Sequence, residues 1–185
     1  MMRQLIYPTK ELPDVLQCQI LSFLRMTWPE GFITEAQRYE WISHQENHPL
    51  HFVFLDDSFL ISHVEVVWKY LEHAGVIYKA YGLSGVFTIP DFRGQGYGHQ
   101  LVEAGTAYIK ASDADIGMLW CAPSLKGFYA RSGWMGMEKS KTLIGPKEDP
   151  SIYHLLLMML FLSQKGQCSH PSFESEPIYF GLEAW

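Results

Sequence analysis

The stretch VFTIPDFRGQGYG, residues 86–98, decides the fold, because it places a strand, a sharp turn, a glycine-rich loop and a helix start in succession. Pro90 ends the strand, since proline cannot donate a hydrogen bond to a sheet ladder. The glycines at 94, 96 and 98 let backbone N–H groups approach an anion, and the helix start adds unpaired N–H donors at the positive end of its dipole. The segment therefore predicts a pyrophosphate cradle with Arg93 as a charge-assisted donor.

Two other phosphate-binding loops do not fit this segment. A P-loop requires GxxxxGK followed by Ser or Thr, which is absent from the chain. A dinucleotide fingerprint requires GxGxxG, and the glycines at 94, 96 and 98 have a different spacing. A plain glycine-rich turn stays open as an alternative, because short glycine motifs are weak indicators on their own.

The segments around the loop alternate between helical and β patterns. Apolar residues recur at helical spacing between residues 13 and 28, as the first element, and a second, weaker helical pattern covers residues 35–43. Residues 163–176 are polar and predict a loop. The remaining patterns predict strands at 51–55, 59–70, 76–81, 83–89, 116–121, 153–162 and 177–182, and helices at 99–111 and 124–132. This order indicates a mixed α/β (α+β) fold in a single domain over residues 1–185.

Composition excludes several classes of protein. Apolar residues make up 48% of the 185 residues, which argues against a disordered chain. The net charge of −6 and the absence of a basic stretch argue against nucleic-acid binding and against a polybasic membrane contact. An acidic protein more naturally attracts cationic partners such as amines.

The cysteines, histidines and apolar runs indicate a cytoplasmic protein without a metal. Cys18, Cys121 and Cys168 are widely spaced, which fits a reducing compartment better than a disulfide framework or a zinc cluster. The eight histidines form no ligand pair with acidic or cysteine company. The longest apolar run, residues 155–162, is too short to span a bilayer and is typical of a buried strand, and no signal peptide precedes the first helix.

Two motifs resemble the GNAT N-acetyltransferase superfamily. Arg93-x-x-Gly96-x-Gly98 after a strand resembles its acyl-CoA loop, and FYARSGW at 128–134 resembles its FYxxxGF/W stretch. The resemblance implies a twisted mixed sheet of about seven strands, splayed between strands 4 and 5 and flanked by about four helices, with acetyl-CoA in the cleft. The pyrophosphate would lie on the loop and the pantetheine on strand backbone N–H groups. The implied cofactor-binding residues are Phe87, Thr88, Ile89, Arg93, Gly94, Gln95, Gly96, Tyr97 and Gly98.

Within the superfamily, the chain is most similar to the aminoglycoside 2'-N-acetyltransferases. The matching stretches are TKELP at 9–13, ISH at 61–63, DFRGQ at 91–95, YARSGW at 129–134 and a final Trp185. This resemblance implies transfer of an acetyl group to a primary amine of a small cationic acceptor, such as an aminoglycoside.

The resemblance also suggests roles for individual residues. Tyr129 matches the tyrosine that protonates the CoA thiolate, although a core-packing role stays open. The family's glutamate, thought to take the amine proton through water, is replaced by Ser84, a poor base. His63 and Glu65, which share one face of a strand, are candidate replacements, and a free-base amine could react without any base. An acceptor pocket is expected from aromatic residues and the carboxylate of the last one: Trp41, Tyr81, Trp120 and Trp185.

Other interpretations of the same residues stay open. The chain could be a GNAT enzyme for an unrelated amine, peptide or polyamine, which the missing glutamate at Ser84 favours. It could also be a non-catalytic acyl-CoA-binding module, although the retained Tyr129 argues against this. A homodimer is left open.

Overall fold

The computed structural model describes residues 2–32, 43 and 45–185. Within this part of the chain there are four α-helices and ten strands. The helices are α1 (Asp14–Thr27), α2 (Tyr97–Lys110), α3 (Lys126–Ala130) and α4 (Gln164–Ser175). The strands are β1 (Met2–Pro8), β2 (Leu50–Asp56), β3 (Phe59–His73), β4 (Val76–Thr88), β5 (Ile116–Cys121), β6 (Met135–Gly136), β7 (Thr142–Ile144), β8 (Ser151–Tyr153), β9 (Leu156–Phe161) and β10 (Ile178–Gly181).

Seven of these strands form one mixed sheet in the order β1-β2-β3-β4-β5-β9-β6. The other three form a small sheet in the order β10-β7-β8. Parallel pairing of β4 with β5 covers Ala80–Gly82 and Ile116–Met118, while β4 itself continues to Thr88. The predicted mixed α/β fold, with about seven strands and about four helices, is confirmed.

Several element predictions were wrong. A strand, β1, precedes the first helix; it is a mostly exposed edge strand that pairs with β2, so no buried face marked it in the sequence. The strands predicted at 76–81 and 83–89 are one strand, β4. The polar loop predicted at 163–176 is helix α4, which Ser163 caps by accepting a hydrogen bond from the amide of Gly166 at 3.0 Å. The helix predicted at 35–43 lies almost entirely outside the described residues.

The chain forms two compact units, and β3, β4 and α2 each contribute residues to both. Unit 1 comprises Met1–Val67 and Leu83–Gly105. Its core is the apolar stripe of α1, which recurs every fourth residue because that spacing keeps side chains on one helix face. This stripe packs against the strands, and the buried cluster contains Leu12, Leu16, Ile20, Leu24, Val53, Leu55, Leu60 and Phe87.

Unit 2 comprises Trp68–Gly82 and Thr106–Trp185. Its center is the antiparallel pair of β5 and β9, which are buried along most of their length, as expected for the continuous apolar run of β9. Phe173 is the fully buried residue through which α4 joins this core. The buried cluster contains Leu71, Tyr78, Ala80, Ile116, Met118, Met137, Leu157, Met159, Phe173, Ile178 and Phe180.

Candidate active site

The loop after β4 has the backbone of an anion cradle. Gly94 and Gly96 adopt left-handed conformations, with φ of +78° and +86°, which residues with a side chain rarely adopt. The carbonyl of Gly96 accepts a hydrogen bond from the amide of Gln100 at 3.0 Å, so α2 starts directly after the glycine. The amides of the first turn have no carbonyl partner within the helix and can bind an anion. This geometry fits the pyrophosphate group predicted for the loop.

The side chains of the loop hold it in place. Arg93 is exposed, and its Nε donates to the carbonyl of Thr88 at 2.9 Å, which ties the loop to the end of β4. The ring of Tyr97 packs against Phe54, with centroids 5.2 Å apart, and so anchors the start of α2. The predicted pyrophosphate-binding residues, 93–98, therefore lie together in unit 1 on one continuous segment.

The strand residues predicted to hold pantetheine differ in what their backbone offers. The amide of Ile89 donates to the carbonyl of Ile61 at 2.9 Å, so this amide is already used. The carbonyl of Phe87 accepts from Ser62 Oγ at 2.8 Å. Because successive residues of a strand direct their N–H groups to opposite edges, we expect the amide of Thr88 to point to the other edge of β4.

Gly85 lies within β4 in a left-handed conformation and directs its carbonyl at a buried histidine. Its φ is +55°, and an added Cβ would lie 3.3 Å from the ring of His63. The Gly85 carbonyl lies 2.8 Å from His63 Nδ1. A carbonyl can only accept, so His63 Nδ1 carries the proton.

The proton on His63 Nδ1 sets the direction of a chain of hydrogen bonds. His51 Nδ1 lies 3.1 Å from His63 Nε2, and His51 Nε2 lies 3.0 Å from Thr9 Oγ1. Burial lowers the pKa of His51 to about 4. Burial and the neighbouring His51 lower the pKa of His63 to about 3, although its bond to the Gly85 carbonyl opposes the shift. Both rings are therefore neutral at pH 7, and His51 Nδ1 donates to His63. Thr9 Oγ1 then shares its one hydrogen between His51 Nε2 and the carbonyl of Pro49, each 3.0 Å away.

Glu65 is linked to Ser84 by a hydroxyl that the sequence did not single out. Ser43 Oγ lies 2.6 Å from Glu65 Oε2 and 3.2 Å from Ser84 Oγ, and all three side chains are buried. Burial raises the pKa of Glu65 to about 7, although the hydrogen bond from Ser43 opposes the shift. Glu65 Oε1 has no hydrogen-bond partner among the described residues and lies 3.4 Å from His51 Nδ1.

The same side chains have a spacing that also occurs in metal centers. Ligand atoms of His51, His63 and Glu65 all lie within 4.8 Å of one another. The ring centroids of the two histidines are 5.4 Å apart, at an interplanar angle of 27°, and the facing nitrogens are 3.1 Å apart. The separation of the centroids equals the distance between the facing nitrogens plus the distance from each centroid to its own nitrogen. The two nitrogens therefore lie on the line between the centroids and point at each other. Metal ligands would point at a third position between them, so this orientation fits a hydrogen bond.

Tyr129 lies in unit 2, on the short helix α3, with only 5% of its surface exposed. Burial raises the pKa of its phenol well above the usual range, and the neighbouring Cys121 contributes to the same shift. Its ring also makes an edge contact with Phe128, with centroids 5.0 Å apart. Tyr129 is therefore a neutral phenol at any ordinary pH.

The predicted acceptor aromatics do not form one group. Trp120 and Trp185 make an edge contact at 6.2 Å, and Phe180 lies within 4.6 Å of both rings. Trp185 covers Gly82, and the side chain of the neighbouring Tyr81 lies on the opposite face of β4. The ring of Tyr81 stacks on that of Trp68, with centroids 6.1 Å apart. Trp41 lies outside the described residues.

The ammonium of a lysine lies against the aromatic group that Trp120, Phe180 and Trp185 form in unit 2. Lys69 Nζ lies 3.3 Å from the ring centroid of Phe180 and 5.5 Å from that of Trp185. A cation over an aromatic face is attracted by the ring quadrupole. The group therefore has the chemistry to hold an ammonium ion, and the protein's own side chain holds that position.

Sequence reasoning missed His51, Ser43 and Thr9 in the network of unit 1. Alternation along β3 places His63 and Glu65 on one face, as predicted. The register of β2 against β3 adds His51, which pairs directly with Glu65. Only knowledge of that register could have identified His51.

None of the helices in the described residues is both long enough and apolar enough to cross a membrane.

Known structures share this fold at low sequence identity. A conserved protein of Enterococcus faecalis, described as a probable N-acyltransferase, has a TM-score of 0.57 and 19% identity over 79% of this chain and 38% of its own. A GCN5-related N-acetyltransferase of Kribbella flavida has a TM-score of 0.57 and 14% identity over 76% of this chain and 35% of its own. The chain thus spans little more than a third of these two proteins. A GNAT family acetyltransferase of Brucella melitensis, solved in complex with acetyl-CoA, has a TM-score of 0.57 and 16% identity over 87% of this chain and 89% of its own.

The family profile gives the assignment. No curated protein sequence matches the chain significantly. The similarity to the aminoglycoside 2'-N-acetyltransferases stays a prediction, since none of these comparisons names that subfamily. The profile of the acetyltransferase (GNAT) domain matches residues 6–136, more than two thirds of the 185 residues. The chain therefore belongs to the GNAT family of acetyltransferases.

Proposed function

We propose that this protein is an acetyl-CoA-dependent N-acetyltransferase that acts on a primary amine of a small cationic acceptor. The observation that carries the proposal is the cradle in unit 1, where Gly94 and Gly96 have left-handed backbones and α2 begins directly after Gly96. A pyrophosphate would be held there by first-turn amides and by Arg93, because both supply positive charge or donors to an anion. When bound, acetyl-CoA supplies the activated acetyl group.

The chain contributes groups for the remaining tasks of the reaction. Tyr129 stays protonated because burial raises its pKa, so it can donate a hydrogen bond or a proton to a leaving thiolate. The amide of Thr88 is a donor for the pantetheine arm on the edge of β4. Ser84, at the position of the family's glutamate, would face the acceptor amine as a hydroxyl.

The acceptor is proposed from charge and aromatic chemistry. The net charge of −6 favours a cationic partner, and Trp120, Phe180 and Trp185 form a group that holds the ammonium of Lys69. An aminoglycoside carries several ammonium groups and is the acceptor that the subfamily resemblance suggests. A polyamine or a peptide amine has the same charge and is the alternative.

Binding of acetyl-CoA by Arg93→Ala tests the cradle. We expect the variant to lose about 1–3 kcal/mol of binding free energy, the range for a hydrogen bond to a charged group, measured by titration calorimetry. Arg3→Ala is the matched control, because Arg3 is an exposed arginine of the same unit whose contact is the carbonyl of Asp57. Equal affinities of the two variants would count against the cradle.

Turnover over a panel of aminoglycosides, polyamines and peptide amines tests the reaction. We expect acetylation of at least one amine, and Tyr129→Phe should lower kcat while acetyl-CoA affinity stays unchanged. A non-catalytic acyl-CoA-binding module is the second candidate, favoured by Ser84 in place of a carboxylate and by the Lys69 ammonium within the aromatic group. Acetyl-CoA binding without turnover on any amine would support that second candidate.

A further inference from the structure

The buried network of unit 1 connects the position of the missing glutamate to another carboxylate. Ser84 Oγ lies 3.2 Å from Ser43 Oγ, which lies 2.6 Å from Glu65 Oε2. Resting on the proposed acetyl transfer, we propose that Glu65 is the proton acceptor for the amine, acting through Ser43 and Ser84. The carboxylate would thus lie on β3, at Glu65, rather than on β4 at the position of Ser84. The hydroxyls of Ser43 and Ser84 would connect it to the amine.

The histidines of the network do not take this role. His63 Nδ1 donates to the Gly85 carbonyl, and His63 Nε2 accepts from His51. Each nitrogen of His63 therefore already has a partner inside the protein, and the lowered pKa of the ring disfavours a second proton. Glu65 Oε1, in contrast, has no hydrogen-bond partner among the described residues. Protonation of Glu65 Oε2 only reverses its hydrogen bond with Ser43, whereas protonation of His63 Nε2 would break the bond from His51.

The surroundings of Glu65 keep it ready to accept a proton near neutral pH. The groups that face it are His51 from β2, His63 on its own strand β3, Ser84 from β4, and Ser43. The helix packed on this core, α1, presents an apolar stripe of Leu16, Ile20 and Leu24. Neither histidine is charged at neutral pH, so within the described residues no cation stabilises the carboxylate, and burial raises its pKa to about 7. A base is most effective when its pKa lies near the operating pH.

The transfer conserves protons at every step. The N–H bond of the acceptor ammonium breaks and an O–H bond forms on Ser84. With the hydroxyl hydrogen of Ser43 donated to Glu65 Oε2, the relay requires Ser84 to turn its own hydroxyl hydrogen towards Ser43, the reverse of the Ser43-to-Ser84 bond in the structure. That hydrogen then passes from Ser84 to Ser43, and the former hydroxyl proton of Ser43 passes to Glu65 Oε2. The amine nitrogen keeps the electron pair of the broken bond and uses it to bond the acetyl carbon. The bond between the acetyl carbon and the sulfur breaks, and its electron pair goes to the sulfur as the thiolate leaves. The thiolate takes up one proton, the second proton of the nitrogen replaces it, and Glu65 returns its proton to solvent after the product departs.

Steady-state kinetics over a range of pH tests the relay. With a fixed acceptor, kcat/KM of the wild type should fall on the acid side with the pKa of Glu65. Glu65→Gln keeps the shape of the side chain and its acceptor for Ser43, and should lower kcat/KM about 10²–10⁴-fold and remove this acid limb. Acetyl-CoA affinity should be unchanged, because Glu65 is not part of the cradle.

Ser43→Ala breaks the bridge while leaving the carboxylate in place. It should lower kcat, and it should raise the pKa of Glu65 because the ionised form loses a hydrogen bond. Ser169→Ala is the matched control, since Ser169 is also a buried serine whose hydroxyl donates within the protein, to the carbonyl of Gly166 at 2.6 Å in unit 2. Equal rates for the two serine variants would overturn the relay.

A direct titration supplies a readout that does not depend on activity. Carbon-13 NMR of labelled glutamate carboxyls, assigned with Glu65→Gln, should show Glu65 titrating near 7 in the wild type and higher in Ser43→Ala. Titration of Glu65 in the ordinary carboxyl range, or an acid limb that persists in Glu65→Gln, would overturn the relay alone. Absence of turnover by the wild type on every amine would overturn the proposed function, and the relay with it.

Discussion

The contact between Gly82 and Trp185 gives the sharpest test of how unit 2 is packed. An added Cβ at Gly82 would lie 2.1 Å from Nε1, 2.2 Å from Cε2 and 2.4 Å from Cζ2 of Trp185. These distances are far below any real carbon contact, so an alanine at 82 and the indole cannot both keep their positions. The φ of Gly82 is not in the left-handed range, so the strand backbone itself accepts alanine. We therefore expect Gly82→Ala to expel Trp185.

The cost follows from what the indole loses. Its Nε1 donates to the carbonyl of Met118 at 3.4 Å, a long hydrogen bond at the weak end of about 0.5–1.5 kcal/mol. Its edge contacts with Phe180 at 4.6 Å and Trp120 at 6.2 Å contribute about 0.5–1.5 kcal/mol each. Gly82→Ala should therefore lower the free energy of unfolding by about 1.5–3.5 kcal/mol. At about 2–4 °C per kcal/mol for a chain of this size, Tm should fall by roughly 3–14 °C.

A double-mutant cycle separates the indole from other effects of the alanine. In a Trp185→Ala background the obstacle is gone, so Gly82→Ala should be neutral or should stabilise by about 0.4–1 kcal/mol, because alanine restricts the unfolded chain. Thermal and urea unfolding of the four proteins measures the difference. If Gly82→Ala costs as much without the indole as with it, the packing described for Trp185 is wrong.

Two further predictions concern helix α4 and the buried carboxylate. Gly166→Ala would place a Cβ 2.1 Å from the carbonyl oxygen of Asp115 and should lower the free energy of unfolding by about 1–3 kcal/mol. In the control Gly127→Ala the added Cβ meets nothing within 4 Å, so the free energy of unfolding in urea should be unchanged or higher. Equal effects of the two substitutions would contradict the packing of α4. The raised pKa of Glu65 means that the folded protein binds a proton more tightly than the unfolded chain, so its contribution to stability is present below pH 4.5 and is lost as the pH rises through about 7. The stability of Glu65→Gln relative to wild type should therefore increase from pH 5 to pH 8, and a constant difference would refute the shift.

Local features of the fold were accessible from residue types. The end of the strand depends on Pro90, which has no amide hydrogen and a φ fixed by its ring. The turn and the helix start depend on Gly94 and Gly96, which adopt left-handed conformations because they have no Cβ. Features that depend on partners were not accessible. Strand β1 is mostly exposed and exists through its pairing with β2, and α4 buries few residues, so neither had an apolar periodicity to reveal it.

The candidate site divides in the same way. The sequence by itself determined the family and the backbone of the loop at 93–98, because a left-handed backbone and a helix start are local requirements that glycine at 94 and 96 satisfies. It also placed His63 and Glu65 on one face of a strand. Only the tertiary structure joined Glu65 to Ser84, because that link depends on Ser43, which is 22 residues from the first and 41 from the second. The pKa of Glu65 was likewise decided by packing, since the removal of water that raises it happens only when the chain folds.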